Sequence, residues 1–124
     1  MSIYSKIKTL FENDTTLQTL LNGTTSNKKI FFHYPQGSSI EDNLPCITFY
    51  FIETPKEFKD PLTMKDGQLS VDIWSKNNLN SIYDRVIYLL STADFYNELS
   101  QSIDLFENDT QIYHKHLLIN VVGG

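Results

Sequence analysis

The chain changes its hydrophobic period within one short stretch, and that change sets the fold class. In Gly67–Leu90, Leu69, Val71 and Ile73 alternate with Ser70, Asp72 and Trp74, the period of a half-buried strand. From Asn80 onward, Ile82, Tyr83, Val86, Leu89 and Leu90 fall at i, i+1, i+4, i+7 and i+8, one stripe of a helix, with Asp84, Arg85 and Ser91 facing away. Ser75–Leu79 supplies the turn between them, with Asn77 or Asn78 available as the N-cap. A strand therefore feeds a helix here, and the helix stripe packs on the sheet.

The same reading extends to both sides. Ile3, Ile7, Leu10 and Phe11 make one stripe on a helix over Ser2–Glu12. Asn13-Asp14 breaks it and recaps a second helix, Thr15–Asn22, with Leu17, Leu20 and Leu21 apolar and Gly23 as the left-handed stop. Lys29–Tyr34 reads as a strand ended by Pro35. Gln36–Asn43 is a polar loop. Pro45–Thr54 is apolar or β-favouring on both alternating faces, which places it centrally in a sheet. Pro55–Asp66 has no period and reads as the flexible arm of a long hairpin, of a length that is usually either functional or disordered.

Toward the end the pattern weakens and then recovers. Thr92–Gln101 is ambiguous; Asp94 is placed to cap one more helical turn carrying Phe95, Tyr96 and Leu99. Ser102–Phe106 reads as a short strand and Glu107–Thr110 as a turn. Gln111–Val122 is a long strand with Ile112, His114, His116, Leu118 and Asn120 on one face, and Tyr113, Lys115, Leu117, Ile119 and Val121 on the other. The hexapeptide LFENDT occurs at Leu10–Thr15 and again at Leu105–Thr110. The first copy ends a helical period and the second joins two strand periods, so both use Asn-Asp as punctuation rather than marking a duplication. Together these elements predict a single α/β (α+β) domain over residues 1–124: a mostly antiparallel sheet of about four to five strands, helices on one face, and a long hairpin arm.

Composition narrows the function. Net charge is -5 with a pI near 5.0, and Lys28-Lys29 is the one adjacent basic pair, so the basic footprint of a nucleic-acid binder is missing. A single cysteine, Cys46, excludes an internal disulfide framework and CxxC zinc sites. No apolar run reaches the ~20 residues of a membrane span, and the N-terminal residues lack the pattern of a signal peptide.

Candidate chemistry is sparse. His114 and His116 share a strand face, and His33 offers a third zinc ligand from another strand; the plain alternative is a half-exposed face of an edge strand. Cys46 lies in the most apolar strand and reads as a small hydrophobe rather than a nucleophile. Glu41-Asp42, and Asp104 with Glu107 and Asp109, sit in polar turns where carboxylates are solvated. The glycines do not form a phosphate-binding loop. Trp74 either fills the second face of the sheet, against the first helix, or anchors an interface.

The ordered segments TLLNG, LPCITFYFIE, GQLSVDIWSKN running into SIYDRVIYLL, and DLFENDTQIYHKHLLINVV give the chain its family likeness. In that order and spacing it resembles the tail-completion, or tail-terminator, proteins of long-tailed bacteriophages and prophages. The resemblance implies a non-enzymatic virion protein without cofactor or metal. It implies a homo-hexameric ring that caps the tail tube, stops its polymerisation and forms the tail side of the head–tail joint. Its partners would be its own copies, the tube protein and a head–neck connector, with DNA passing through unheld, no membrane contact, and assembly in the host cytoplasm. The loops Gln36–Asn43 and Pro55–Asp66 are the expected subunit or tube contacts, represented by Ser38, Glu41, Asp42, Phe58, Lys59 and Met64, with Trp74 beside them. The rival readings are a neck or head-completion stopper protein, and a small hydrolase or metal-binding module built on His33, His114 and His116.

Overall fold

The computed structural model describes residues 3–52, 66–77 and 79–122. Five strands form one mixed sheet, in the order β1 (Ile30–Phe32), β2 (Cys46–Ile52), β3 (Asp66–Ser75), β5 (Ile112–Val122) and β4 (Tyr96–Glu107). Only the β1–β2 pair is parallel; the other three neighbouring pairs are antiparallel. The helices are α1 (Ile3–Glu12), α2 (Thr15–Leu21) and α3 (Leu79–Ser91). This is the mostly antiparallel α/β sheet that the alternating periods predict. The hairpin arm at Pro55–Asp66, and with it Phe58, Lys59 and Met64, lies outside the described residues up to Asp66.

One face of the sheet makes the core. Leu69, Val71 and Ile73 of β3, Ile47 and Phe49 of β2, and Leu117, Ile119 and Val121 of β5 point to it and are buried. Ile7 and Phe11, Leu17 and Leu21, and Ile82, Val86 and Leu90 close over it from the three helices. Burying a side chain of this size stabilises by roughly 1.5–3 kcal/mol relative to leaving it in water, which is why the helical stripes dictate the packing.

Several local expectations are corrected. The left-handed stop of α2 is Asn22 (φ 56°), whose short amide tolerates that conformation, and not Gly23. β1 is only three residues long, because Lys29 (φ 65°) and His33 (φ 68°) bend the chain out of extended backbone on both sides; it ends before Pro35 is reached. β2 is an inner strand as expected, yet β3 holds the centre. The helical turn expected after Asp94 is instead the start of β4, a strand of twelve residues. Its ladder to β5 enforces extended backbone from Tyr96, with register irregularities between Tyr96 and Glu98 and between Leu99 and Gln101. β5 is therefore interior, not an edge. Arg85 does not simply face solvent: its guanidinium binds Asp14, the N-cap of α2, through Nε at 2.8 Å and Nη2 at 2.7 Å.

Candidate interaction face

The second face of the sheet carries the even positions of β2, β3 and β5 and, after the irregularities, the odd positions of β4. The register lines them up in rows. Thr48, Asp72, His116 and Ile103 form one row across the four strands. Cys46, Trp74, His114 and Leu105 form the next. An aspartate in the middle of a strand is poorly suited to it unless its carboxylate is satisfied, and here the neighbouring strand supplies the partners.

Asp72 is 6% exposed. Its Oδ1 accepts from His114 Nε2 at 2.6 Å and from His116 Nδ1 at 2.8 Å, while Ser70 Oγ donates to Oδ2 at 3.3 Å. A carboxylate only accepts, so the ring nitrogens facing it carry the protons. Burial pushes the Asp72 carboxyl up, but the two imidazole hydrogen bonds more than offset it and hold the group below its ordinary value. The imidazole of His114 in turn stacks on Trp74, with ring centroids 3.7 Å apart and planes 14° apart. Trp74 is half-buried and its Nε1 donates to Thr48 Oγ1 at 3.0 Å. Trp74 thus covers the second sheet face through β2 and β5 and does not lean on α1.

This network braces the face, and its geometry is not that of a nucleophile relay. Ser70 Oγ lies 3.3 Å from the same Nδ1 of His116 that binds Asp72. A serine–histidine–aspartate relay needs the two imidazole nitrogens on opposite partners. Cys46 is buried, and burial pushes its thiol up to about 12, leaving it protonated at neutral pH. His114 and His116 come together as the sequence suggests, but His33 does not join them; it stacks on Tyr50 at 5.7 Å. Among the described residues no group of three or more His, Cys, Asp or Glu takes a metal-binding arrangement.

The remaining sequence candidates are placed apart from this network. Ser38, Glu41 and Asp42 lie exposed on the connection between β1 and β2. Ser38 Oγ accepts from Asn43 Nδ2 at 2.8 Å, and Asn43 in turn ties this connection to Asn27 and Lys29. Among the described residues no hydrogen bond or ion pair joins these three to Trp74. Asp104 pairs with Lys115 at 2.9 Å, and Glu107 accepts from Thr110 at 3.2 Å in the β4–β5 turn. Sequence reasoning missed Asp72, Ser70 and Thr48. The available signal was Asp72 itself, a charge at mid-strand that must find a partner when covered.

The face opens toward β4. At the distal end of the β4–β5 hairpin large apolar side chains between 36% and 47% exposed lie on both sides of the sheet: Ile103 and Leu105 on this second face, Phe106 and Tyr113 on the helix-bearing face. Beside them a cleft of about 570 Å³ runs between the hairpin and the start of α3, lined by Lys76, Leu79, Asn80, Asp104, Leu105 and Tyr113 among others.

No family model matches the chain, and no curated protein matches it in sequence. Among solved structures, a chain in the virion of a native gene transfer agent particle shares this fold. The superposition has a TM-score of 0.64, covers 99% of this chain and 96% of that chain, and carries 7% identity. Among the described residues no helix is long and apolar enough to cross a membrane.

Proposed function

We propose that this chain is a non-enzymatic structural protein of a phage-like virion, which caps the tail tube as a ring, stops its polymerisation and forms the tail side of the head–tail joint. The observation that carries the reading is the fold likeness to a virion-particle chain over nearly the full length of both chains. It is supported by where the family-like segments fall: LPCITFYFIE contains β2, GQLSVDIWSKN covers β3 from Gly67 and the turn after it, SIYDRVIYLL lies in α3, and DLFENDTQIYHKHLLINVV runs from β4 through β5. They make one continuous body; the described candidates for subunit or tube contact are the exposed connection bearing Ser38, Glu41 and Asp42, outside those segments, and the half-buried Trp74 of β3, within them. Phe58, Lys59 and Met64 complete the proposed contact set. A net charge of -5 suits a conduit that lets DNA pass without holding it.

The test is assembly in extracts that lack this protein. Tubes are expected to overgrow and stay headless, and purified protein added back should restore their length and joining, with hexameric rings at tube ends in electron micrographs. Tubes of normal length that join heads without it would overturn the reading. Rescue that requires addition to head particles, with tube length unaffected throughout, would move the chain to the neck as a head-completion protein.

A further inference from the structure

The sheet has two edges, and they are built differently. β1 is closed to further strands. Lys29 and His33 turn their backbone groups to β2, bonding Ile47 N and Phe49 O, so Ile30 and Phe32 face outward. Both outward carbonyls already have donors: Ile30 O accepts from Lys8 Nζ at 3.1 Å and Phe32 O from Tyr34 N at 2.9 Å. β4 is the opposite case. Ten of its twelve residues are exposed, and among the described residues no backbone group pairs with its outer side. Past its two irregularities, Gln101 to Glu107 pairs with β5 in seven consecutive steps, so this half is a regular, open template.

Charge decides what can use it. Residues 94–110 hold five acidic side chains and no basic one; Lys6 pairs with Asp94 and Lys115 with a still largely exposed Asp104 from neighbouring elements, and among the described residues Glu98, Glu107 and Asp109 have no ion-pair partner. A second copy is a poor occupant. The two-fold antiparallel register that sets Ile103 against Leu105 of another β4 also sets Asp104 against itself, and like charges directly opposite destabilise a strand pair. The closed β1 edge cannot serve as the complementary strand.

We propose that the outer edge of β4, from Gln101 to Glu107, receives an extended, lysine- or arginine-bearing segment of a partner protein, which adds to the sheet as a further strand. Backbone hydrogen bonds to the open edge give the affinity. Ile103 and Leu105 on one face and Phe106 on the other receive its apolar side chains, and Asp104 and Glu107 select for its positive charge. The strip is a property of this chain alone and does not depend on the tube-capping reading, so either proposal can fail without the other.

The test uses the full-length protein and an eight-residue peptide alternating valine with lysine and threonine, compared with the same peptide carrying glutamate for lysine. Amide hydrogen exchange is read across the chain, with the emission of the single tryptophan, Trp74, as a second signal from the row that ends at Leu105. The lysine peptide should slow exchange within Ser102–Phe106 by about tenfold or more while the glutamate peptide leaves it unchanged. Ile103→Lys and Leu105→Lys, at exposed positions that do not threaten folding, should each weaken the lysine peptide by about tenfold. Absence of protection at millimolar peptide overturns the proposal, as does protection spread over other elements or equal binding of both peptides. Protection of β4 that appears on concentrating the protein alone, with dimer formation, assigns the edge to a second copy and also overturns it.

Discussion

Two side chains show how much of this fold rests on single atoms. Gln18 is buried, and its Nε2 donates to Phe11 O at 3.1 Å and to Lys28 O at 3.0 Å, tying the end of α1 to the approach to β1. Two carbonyl acceptors fix the orientation of the amide, which turns Oε1 toward Gly23. A Cβ on Gly23 would meet that oxygen at 1.9 Å. Gly23→Ala must therefore shift the end of the Gln18 side chain and disturb its two bonds, an expected loss of about 1 kcal/mol in urea unfolding. Gly37 makes the contrast: nothing lies within 4 Å of its Cβ position, but its φ is +73°. There Gly37→Ala should cost about 1–2 kcal/mol through backbone strain, whereas Gly37→Asn should be nearly neutral, because asparagine tolerates the left-handed region. Equal losses for both Gly37 variants would refute the strain argument. Asp14 is the second case. It caps α2 by accepting from Leu17 N at 2.8 Å and binds Arg85, and the Arg85 hydrogen bond, opposed by burial, holds its carboxyl below the ordinary range. A lowered folded-state value means that the unfolded chain binds the proton more readily. The ion-pair contribution is then complete above about pH 4 and is lost as pH falls through the lowered value. Asp14→Asn keeps the cap and removes the pair, so its stability deficit should be constant from neutral pH down to about 4 and shrink below that. A deficit that widens on acidification would contradict the pairing. Asp14→Ala should lose about 1 kcal/mol more, the usual worth of a cap.

At the scale of elements, burial separates the two ends of the β4–β5 hairpin. Leu117 of β5 is fully buried under the helices, while Leu105 of β4 is 47% exposed. Leu117→Ala should cost about 2–5 kcal/mol and Leu105→Ala within about 0.5 kcal/mol, read from urea midpoints. A comparable loss at Leu105 would mean that the hairpin is covered in solution. The same contrast explains what the sequence could reveal. β5 and α3 each bury one face, so their periods are clean and their ends fall close to where the pattern places them; β3, expected to be half-buried, keeps its alternation of residue type although Ser70 and Asp72 on its second face are buried as well. β4 has an open edge and an exposed face, so Asn97–Ser102 carries polar residues at both parities and no period survives. Phe95, Tyr96 and Leu99 then imitate a helical turn, and only the ladder to β5 overrules it. LFENDT is the sharpest instance: from Leu10 it leaves α1 and caps α2, and from Leu105 it turns β4 into β5. The network on the second face was half legible. His114 and His116 share a face by strict alternation, but their partner Asp72 depends on β3 lying beside β5, which is a tertiary fact.

The whole molecule is asymmetric across its sheet, with a short, closed edge at β1 and a long, acidic, open one at β4. Open edges of this length ordinarily invite copies of the same chain, so something must keep the copies apart. The acidic side chains of β4 are the available device, since no bulge interrupts Gln101–Glu107 and among the described residues no element covers it. Glu98 and Glu107 allow a direct test. Each accepts a hydrogen bond, from Asn120 Nδ2 and Thr110 Oγ1 respectively, which a glutamine oxygen can also accept. The double variant Glu98→Gln/Glu107→Gln therefore removes charge without removing those contacts, and its unfolding midpoint should stay close to that of the parent. In the antiparallel register that places Glu98 opposite Glu107 of another copy, two like-charge contacts become neutral ones. Sedimentation velocity should then show concentration-dependent dimers or larger species absent from the parent at the same concentration. Raising the salt should promote association in the parent, whose charges it screens, and change the variant much less. A variant that sediments like the parent at every concentration would show that charge is not what keeps β4 apart, and the twist introduced near Tyr96–Gln101 would have to carry that role instead.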